Sequence, residues 1–167
     1  MNYSKILLAL DRLPQASIIF EQALVIAQKF DSSLMIFHNL NCDTDEKDEE
    51  DSIAIGTFGD VDIQGSKLGY RQERLEKKIE EVKVWLKGYC QRAEALQINT
   101  EYHYQGGIPG RRICDLATSW DADLIIVGHR GYTGISEAWL GSVSSYVLHN
   151  APCSVLVVQG SKAIGSV

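Results

Sequence analysis

The chain has 167 residues, enough for one domain with a substantial hydrophobic core. Hydrophobic residues make up 45% of it and charged residues 23%, as in ordinary globular proteins. A formal net charge of -6 argues against a nucleic-acid partner, because phosphate backbones are bound by clustered lysine and arginine. No stretch approaches the roughly 20 apolar residues of a membrane span, and no signal-peptide pattern opens the chain. We therefore expect a cytoplasmic protein with no membrane partner.

Short β-rich runs alternate with helical patterns along the chain. In order, the pattern predicts strand Lys5–Leu10, helix Pro14–Phe30, strand Ser33–Asn39, helix Gly69–Leu96, strand Asn99–Gln105, helix Pro109–Trp120, strand Asp123–Gly128, helix Gly141–Asn150 and strand Ser154–Gln159. The first, fourth and fifth strands are almost continuously apolar, as in parallel sheets covered on both faces, whereas the third alternates partly, like an edge strand. The order predicts an α/β fold: an open, doubly wound, Rossmann-like sheet of five parallel strands with helices on both faces.

Residues 41–68 do not fit this alternation. They contain the acidic run Asp43–Asp51, followed by several glycines, and dense like charge resists burial. This composition predicts a mobile, solvated loop. It is either a solubilising insertion or a lid or partner-docking arm beside the functional end of the sheet. We expect a single domain over residues 1–160 that contains this loop, and a flexible tail at 161–167.

The segment after the fourth strand carries the most informative pattern. Two residues separate Gly128 from Gly131, nine separate Gly131 from Gly141, and Ser142 follows directly. Glycine lets a backbone turn and approach a ligand closely, and a helix N-terminus offers unpaired N–H groups to a phosphate. The pattern predicts a phosphate cradle that needs no catalytic side chain. Its candidate residues are Gly128, Gly131, Gly141, Ser142, Val143 and Ser144.

These residues also carry a resemblance to a known family. The pattern G-x2-G-x9-G-[ST] from Gly128 to Ser142 is similar to the nucleotide motif of universal stress proteins. The flanking runs Lys5–Asp11, Ala122–Gly128 and Ala151–Val158 resemble the strands of that family, so the resemblance covers nearly the whole domain. It implies the strand order 3-2-1-4-5, with the ligand bound where the order reverses, between the first and fourth strands.

The resemblance implies further site residues. Asp11 would face the nucleoside and help to hold a metal such as Mg²⁺ through the nucleotide, although its position also suits a residue that caps the first turn. Asn39 lies where the family contacts the base through its backbone, and Gly107 lies where a family glycine lines the nucleotide cleft. Arg130, inside the glycine turn, either contacts a phosphate or forms a surface ion pair.

The resemblance implies that ATP, or ADP or AMP, is the ligand of a nucleotide-responsive regulator in stress response, read by an unidentified partner protein. Two alternatives stay open: a slow ATPase, supported by a metal at Asp11, and a nucleotide-independent dimeric interaction protein. The sequence has no HxGH, SGGxDS or GxxxxGK[ST] motif, which argues against a dedicated enzyme and leaves weak ATP hydrolysis open. The resemblance also implies a homodimer through the last strand, at Val155, Leu156, Val157 and Val158.

Overall fold

A computed structural model describes residues 2–40, 63–129 and 141–159, with backbone alone for residues 63–68, 70 and 71. The strands in these ranges are β1 Lys5–Ala9, β2 Ser33–Leu40, β3 Thr100–Gly106, β4 Leu124–His129 and β5 Ser154–Gln159. The helices are α1 Ala16–Phe30, α2 Ile63–Glu94, α3 Pro109–Trp120 and α4 Ser142–Asn150. None of these described helices is both long enough and apolar enough to span a membrane. The acidic run Asp43–Asp51, Arg130, Gly131 and the tail 161–167 lie outside the described residues.

All neighbouring strands pair in parallel, in the order β3-β2-β1-β4-β5. The predicted fold and strand order are therefore confirmed, and β3 is an edge strand as its alternation indicated. The central strand β1 aligns Ala9 with Phe37 of β2 and with Val127 of β4. Because the strands are parallel, their carboxyl ends all lie at one end of the sheet, where ligands of open α/β proteins bind.

Two hydrophobic clusters cover the two faces of the sheet. Helices α1 and α2 pack over one face, around residues such as Leu8, Phe20, Leu86 and Ile126. Helices α3 and α4 pack over the other, around residues such as Leu7, Phe37, Ile113 and Val147. Successive strand residues point to opposite faces, so a strand covered on both sides needs an apolar residue at every position. This requirement explains the continuous apolar runs of β1 and β4.

Three helices begin elsewhere than the sequence pattern predicted. For α4 the difference is one residue, because Gly141 is its N-cap and Ser142 its first residue. Helix α1 begins at Ala16 rather than at Pro14, because residues 13–16 first form a turn in which the N–H of Ala16 donates to the carbonyl of Leu13 at 3.0 Å. Helix α2 begins at Ile63 rather than at Gly69, so residues 63–68 are helical and not part of a loop. Gly69 is exposed, and a Cβ there would meet nothing within 4 Å. The helix tolerates this glycine without using its conformational freedom.

Candidate functional site

The described site residues gather at the carboxyl end of the sheet, around the end of β1. Asn39 lies two residues after Phe37, and His129 lies two residues after Val127. Phe37 and Val127 belong to the hydrophobic cluster that packs under α3 and α4. Strand side chains alternate, so both polar residues lie on the face that α3 and α4 cover. Helices α3 and α4 also begin at this end, since each follows a parallel strand that ends there. Two polar side chains and two helix N-termini therefore converge beside the switch point.

The N-terminus of α4 presents backbone donors. Its N-cap, Gly141, makes no side-chain cap hydrogen bond. The carbonyl of Gly141 accepts from the N–H of Ser145 at 2.9 Å and from the hydroxyl of Ser144 at 3.0 Å. Ser142 is exposed and Val143 half-buried, whereas Ser144 is buried and its hydroxyl is engaged inside the turn. The first-turn N–H groups and the Ser142 hydroxyl are thus the donors available to an anion, and Ser144 shapes the turn that carries them.

The glycines of the motif differ in what the fold requires of them. A Cβ at Gly128 would lie 2.3 Å from Cδ1 of Ile19, so the absence of a side chain there lets α1 pack against β4. Among the described residues, a Cβ at Gly141 would meet only Oγ of Ser144, at an ordinary 3.6 Å. The packing of the described residues therefore accounts for Gly128 but not for Gly141. Gly141 is therefore the glycine whose role is best tested by measuring ligand binding.

Gly107 occupies the turn between β3 and α3. Its φ of 127° lies in the region that favours glycine, and a Cβ there would lie 2.7 Å from Nε of Arg112. The same Nε donates to the carbonyl of Gly106 at 3.2 Å, and the guanidinium also lies 3.9 Å from Asp115. Arg112 therefore holds a positive charge against the turn that was predicted to line the cleft. The available sequence signal for Arg112 was its place in the first turn of a helix, where a cation opposes the helix dipole.

Asp11 follows β1 in the turn that leads to α1. Its Oδ1 accepts from the N–H of Leu13 at 3.4 Å, so the capping alternative is present as a long hydrogen bond. In the described part of the chain, no group of three or more His, Cys, Asp or Glu could hold a metal ion. One carboxylate suits Mg²⁺ only when nucleotide phosphates supply other ligands, so the metal-holding role of Asp11 stays a prediction.

Two histidines lie near the carboxyl ends of β2 and β4, the strands on either side of β1. His38 is buried between the sheet and α2, where its ring packs edge-on against Trp85 with centroids 5.2 Å apart. Its Nδ1 lies 2.8 Å from the carbonyl oxygen of Leu10. Burial lowers the pKa of His38 below its ordinary value of 6.5, against the raising effect of the Leu10 hydrogen bond. His38 therefore stays neutral near pH 7.

His129 is half-buried, and its Nδ1 is buried without a hydrogen-bond partner among the described residues. Buried polar atoms normally have a partner, so His129 joins the candidate site. The sequence pattern indicated only a structural or exposed histidine there, because no acid or second histidine completes a set. Its place at the end of β4 was the available signal.

An open groove with a volume of about 460 Å³ lies elsewhere, between α2 and the start of β3. Lys87, Glu94 and Glu101 are among the residues that line it. It opens at the amino end of β3, whereas the glycine turn and Asp11 follow the carboxyl ends of their strands. We therefore place the functional site at the carboxyl end and not in this groove.

The family profile and the related sequences both match the same protein family. Residues 2–159 match the profile of the universal stress protein family. The universal stress protein Sll1388 of Synechocystis is 40% identical over 159 residues, which cover 95% of this chain and 99% of that protein.

Solved structures of low sequence identity share the fold. A universal stress protein solved in complex with cAMP has a TM-score of 0.65 at 20% identity, covering 96% of this chain and 100% of the other. The universal stress protein of Archaeoglobus fulgidus in complex with dAMP has a TM-score of 0.60 at 21% identity, covering 94% and 98%. With the profile spanning nearly all of the sequence and a close relative of equal extent, the chain belongs to the universal stress protein family.

Proposed function

We propose that this protein binds an adenine nucleotide, with ATP as the leading candidate, at the carboxyl end of β1 and β4. The N-terminus of α4 carries this proposal, because contacts among the described residues do not require a glycine at position 141, and its absent side chain would let a ligand approach the first-turn N–H groups. Family membership supports it, since one relative was solved with cAMP and another with dAMP. The intact spacing from Gly128 through Gly131 to Gly141 and Ser142 supports it as well.

In the proposed complex, different residues contact the phosphates, the nucleoside and the base. The first-turn N–H groups of α4 and the Ser142 hydroxyl bind phosphate oxygens, where the positive end of the helix dipole favours negative charge. Gly107 lines the cleft, and the backbone of Asn39 meets the base. Asp11 would face the nucleoside and would help to hold Mg²⁺, which would neutralise phosphate charge. Arg130 and Gly131 complete the phosphate turn as predictions from the sequence.

The proposed role is a regulator in stress response whose nucleotide state is read by a partner protein. Its proposed compartment is the cytoplasm, where thiols stay reduced. Free cysteines support that placement: Cys90 and Cys114 are buried, and Cys153 is half-buried. Burial raises the pKa of Cys90 to about 11, so this thiol is poorly reactive.

The first test is calorimetric titration of nucleotide-free protein with ATP, ADP, AMP and cAMP, with and without Mg²⁺. We expect micromolar binding of at least one nucleotide and loss of that binding in Gly141→Val, because the added side chain occupies the approach to the helix N-terminus. The fold should survive, since within the described ranges a Cβ at Gly141 makes one ordinary contact, with Oγ of Ser144. Gly88→Val is the matched control, because Gly88 is exposed on α2 and its Cβ position is empty to 4 Å.

Each outcome bears on a different function. Unchanged affinity in a folded Gly141→Val protein would refute the site. No binding of any nucleotide by the wild type would favour the nucleotide-independent interaction protein. Release of phosphate from ATP under the same conditions, reduced in Asp11→Asn, would favour the slow ATPase.

A further inference from the structure

The end of β1 is tied to β2 by an imidazole as well as by the backbone. The N–H of Leu10, one residue past β1, donates to the carbonyl of Phe37 at 2.9 Å. The carbonyl of the same residue lies 2.8 Å from Nδ1 of His38 in a buried hydrogen bond. Both polar backbone groups of Leu10 are therefore held by β2, directly before the chain turns at Asp11.

The chemistry of this hydrogen bond determines its direction. A carbonyl oxygen can only accept, so Nδ1 of His38 must carry the hydrogen and donate it. The ring cannot easily leave, because His38 is only 9% exposed and packs edge-on against Trp85 of α2. Helix α2 thus holds the imidazole, and the imidazole holds the peptide of Leu10.

This contact joins the two residues that directly precede predicted site residues. Leu10 precedes Asp11, which was predicted to face the nucleoside, and His38 precedes Asn39, whose backbone was predicted to meet the base. This side-chain hydrogen bond, together with the backbone bond from Leu10 to Phe37, therefore sets the separation between the segment after β1 and the end of β2.

We propose that His38 is a positioning residue for nucleotide binding: its Nδ1–H fixes the Leu10–Asp11 peptide relative to Asn39. This inference rests on the nucleotide site proposed above. His38 contacts neither base nor phosphate in this role and acts through the backbone of β1. Losing the donor leaves the Leu10 carbonyl unsatisfied, which releases the turn at Asp11 or draws water into the cluster.

A crossed pair of variants separates positioning from packing. His38→Asn keeps an N–H donor at the δ position and loses ring volume, whereas His38→Leu keeps most of the volume and loses the donor. We expect His38→Leu to weaken the binding of the preferred nucleotide by about three- to tenfold, corresponding to one net hydrogen bond. His38→Asn should stay within about twofold of wild type even where its melting temperature is lower. Leu86→Ala, a core change on α2 in the same cluster, serves as the control for general destabilisation.

Hydrogen exchange provides a second measurement that does not depend on nucleotide. We expect amides of residues 11–13 to exchange faster in His38→Leu than in wild type and His38→Asn. Equal affinities for the two His38 variants, or unchanged exchange at residues 11–13 in His38→Leu, would overturn the positioning role. A wild type that binds no nucleotide, while His38→Leu still shows the faster exchange, would refute the proposed function and leave the turn-fixing contact standing.

Discussion

At the scale of single residues, burial decides the charge state of His38. Its ring is enclosed between the sheet and α2, and burial is the largest influence on its pKa. Arg12 and Lys78 lower that pKa further, while the Leu10 hydrogen bond and Asp11 raise it. The net result is a folded-state pKa below the ordinary 6.5, so the folded protein takes up this proton less readily than the unfolded chain.

A pH dependence of stability follows from this difference. The contribution of neutral His38 is complete above pH 6.5 and is lost as pH falls from there towards the lower folded-state pKa. We expect the free energy of unfolding, measured with denaturant from pH 8 to pH 5, to fall more steeply below pH 6.5 in wild type than in His38→Asn. Parallel curves for the two proteins would contradict a buried, neutral His38.

At the scale of elements, α1 packs against β4 at Gly128. Ile19 is 2% exposed, and its Cδ1 occupies the place that a side chain at position 128 would need. Helix α1 therefore packs close to the strand just before the phosphate turn begins. Gly128 supports the site through this packing, whatever it contributes to a ligand.

Gly128→Ala should lower the free energy of unfolding by about 1–3 kcal/mol, because the added methyl overpacks the contact with Ile19. Ile19→Val removes the Cδ1 atom in question and should by itself cost about 0.5–1.5 kcal/mol. We expect the free energy of unfolding of the double variant to fall by roughly 1 kcal/mol less than the sum of the two single losses, as measured by denaturant unfolding. Strict additivity would show that the two residues do not compete for the same space.

At the scale of the whole molecule, β5 forms one edge of the five-stranded sheet. It is the last strand in the order, and Val155, Leu156, Val157 and Val158 are each only half-buried. Apolar edge strands of this kind favour pairing with another chain. This exposure supports the homodimer that the sequence resemblance implied, and we propose that two copies of the chain meet along β5.

Light scattering on the eluting protein tests this assembly. We expect twice the monomer mass for wild type at micromolar concentration and the monomer mass for Val157→Lys, because an edge lysine opposes strand pairing. Val84→Lys, on α2 where the side chain is already 70% exposed, should remain dimeric. A monomeric wild type, or a dimeric Val157→Lys, would remove β5 from the interface.

The sequence by itself determined most of the fold, because the physical signals for it are local. Alternating element types, continuous apolar strands and the glycine spacing are all readable within short windows, and the resemblance supplied the strand order. Helix starts were less accessible: the glycines after the acidic run favoured a loop up to residue 68 and a helix from Gly69. Helix α2 in fact begins at Ile63, because the low helix propensity of glycine is a weak local signal.

Tertiary structure alone decided which residues work together. The contacts from His38 to Leu10 and from Gly128 to Ile19 join residues that lie 28 and 109 positions apart, so no local pattern could reveal them. The burial of His38 and of Nδ1 of His129 likewise depends on neighbouring strands and helices. Local sequence patterns thus indicated where a ligand could bind. Packing between elements that are distant in sequence decided which side chains position the backbone there.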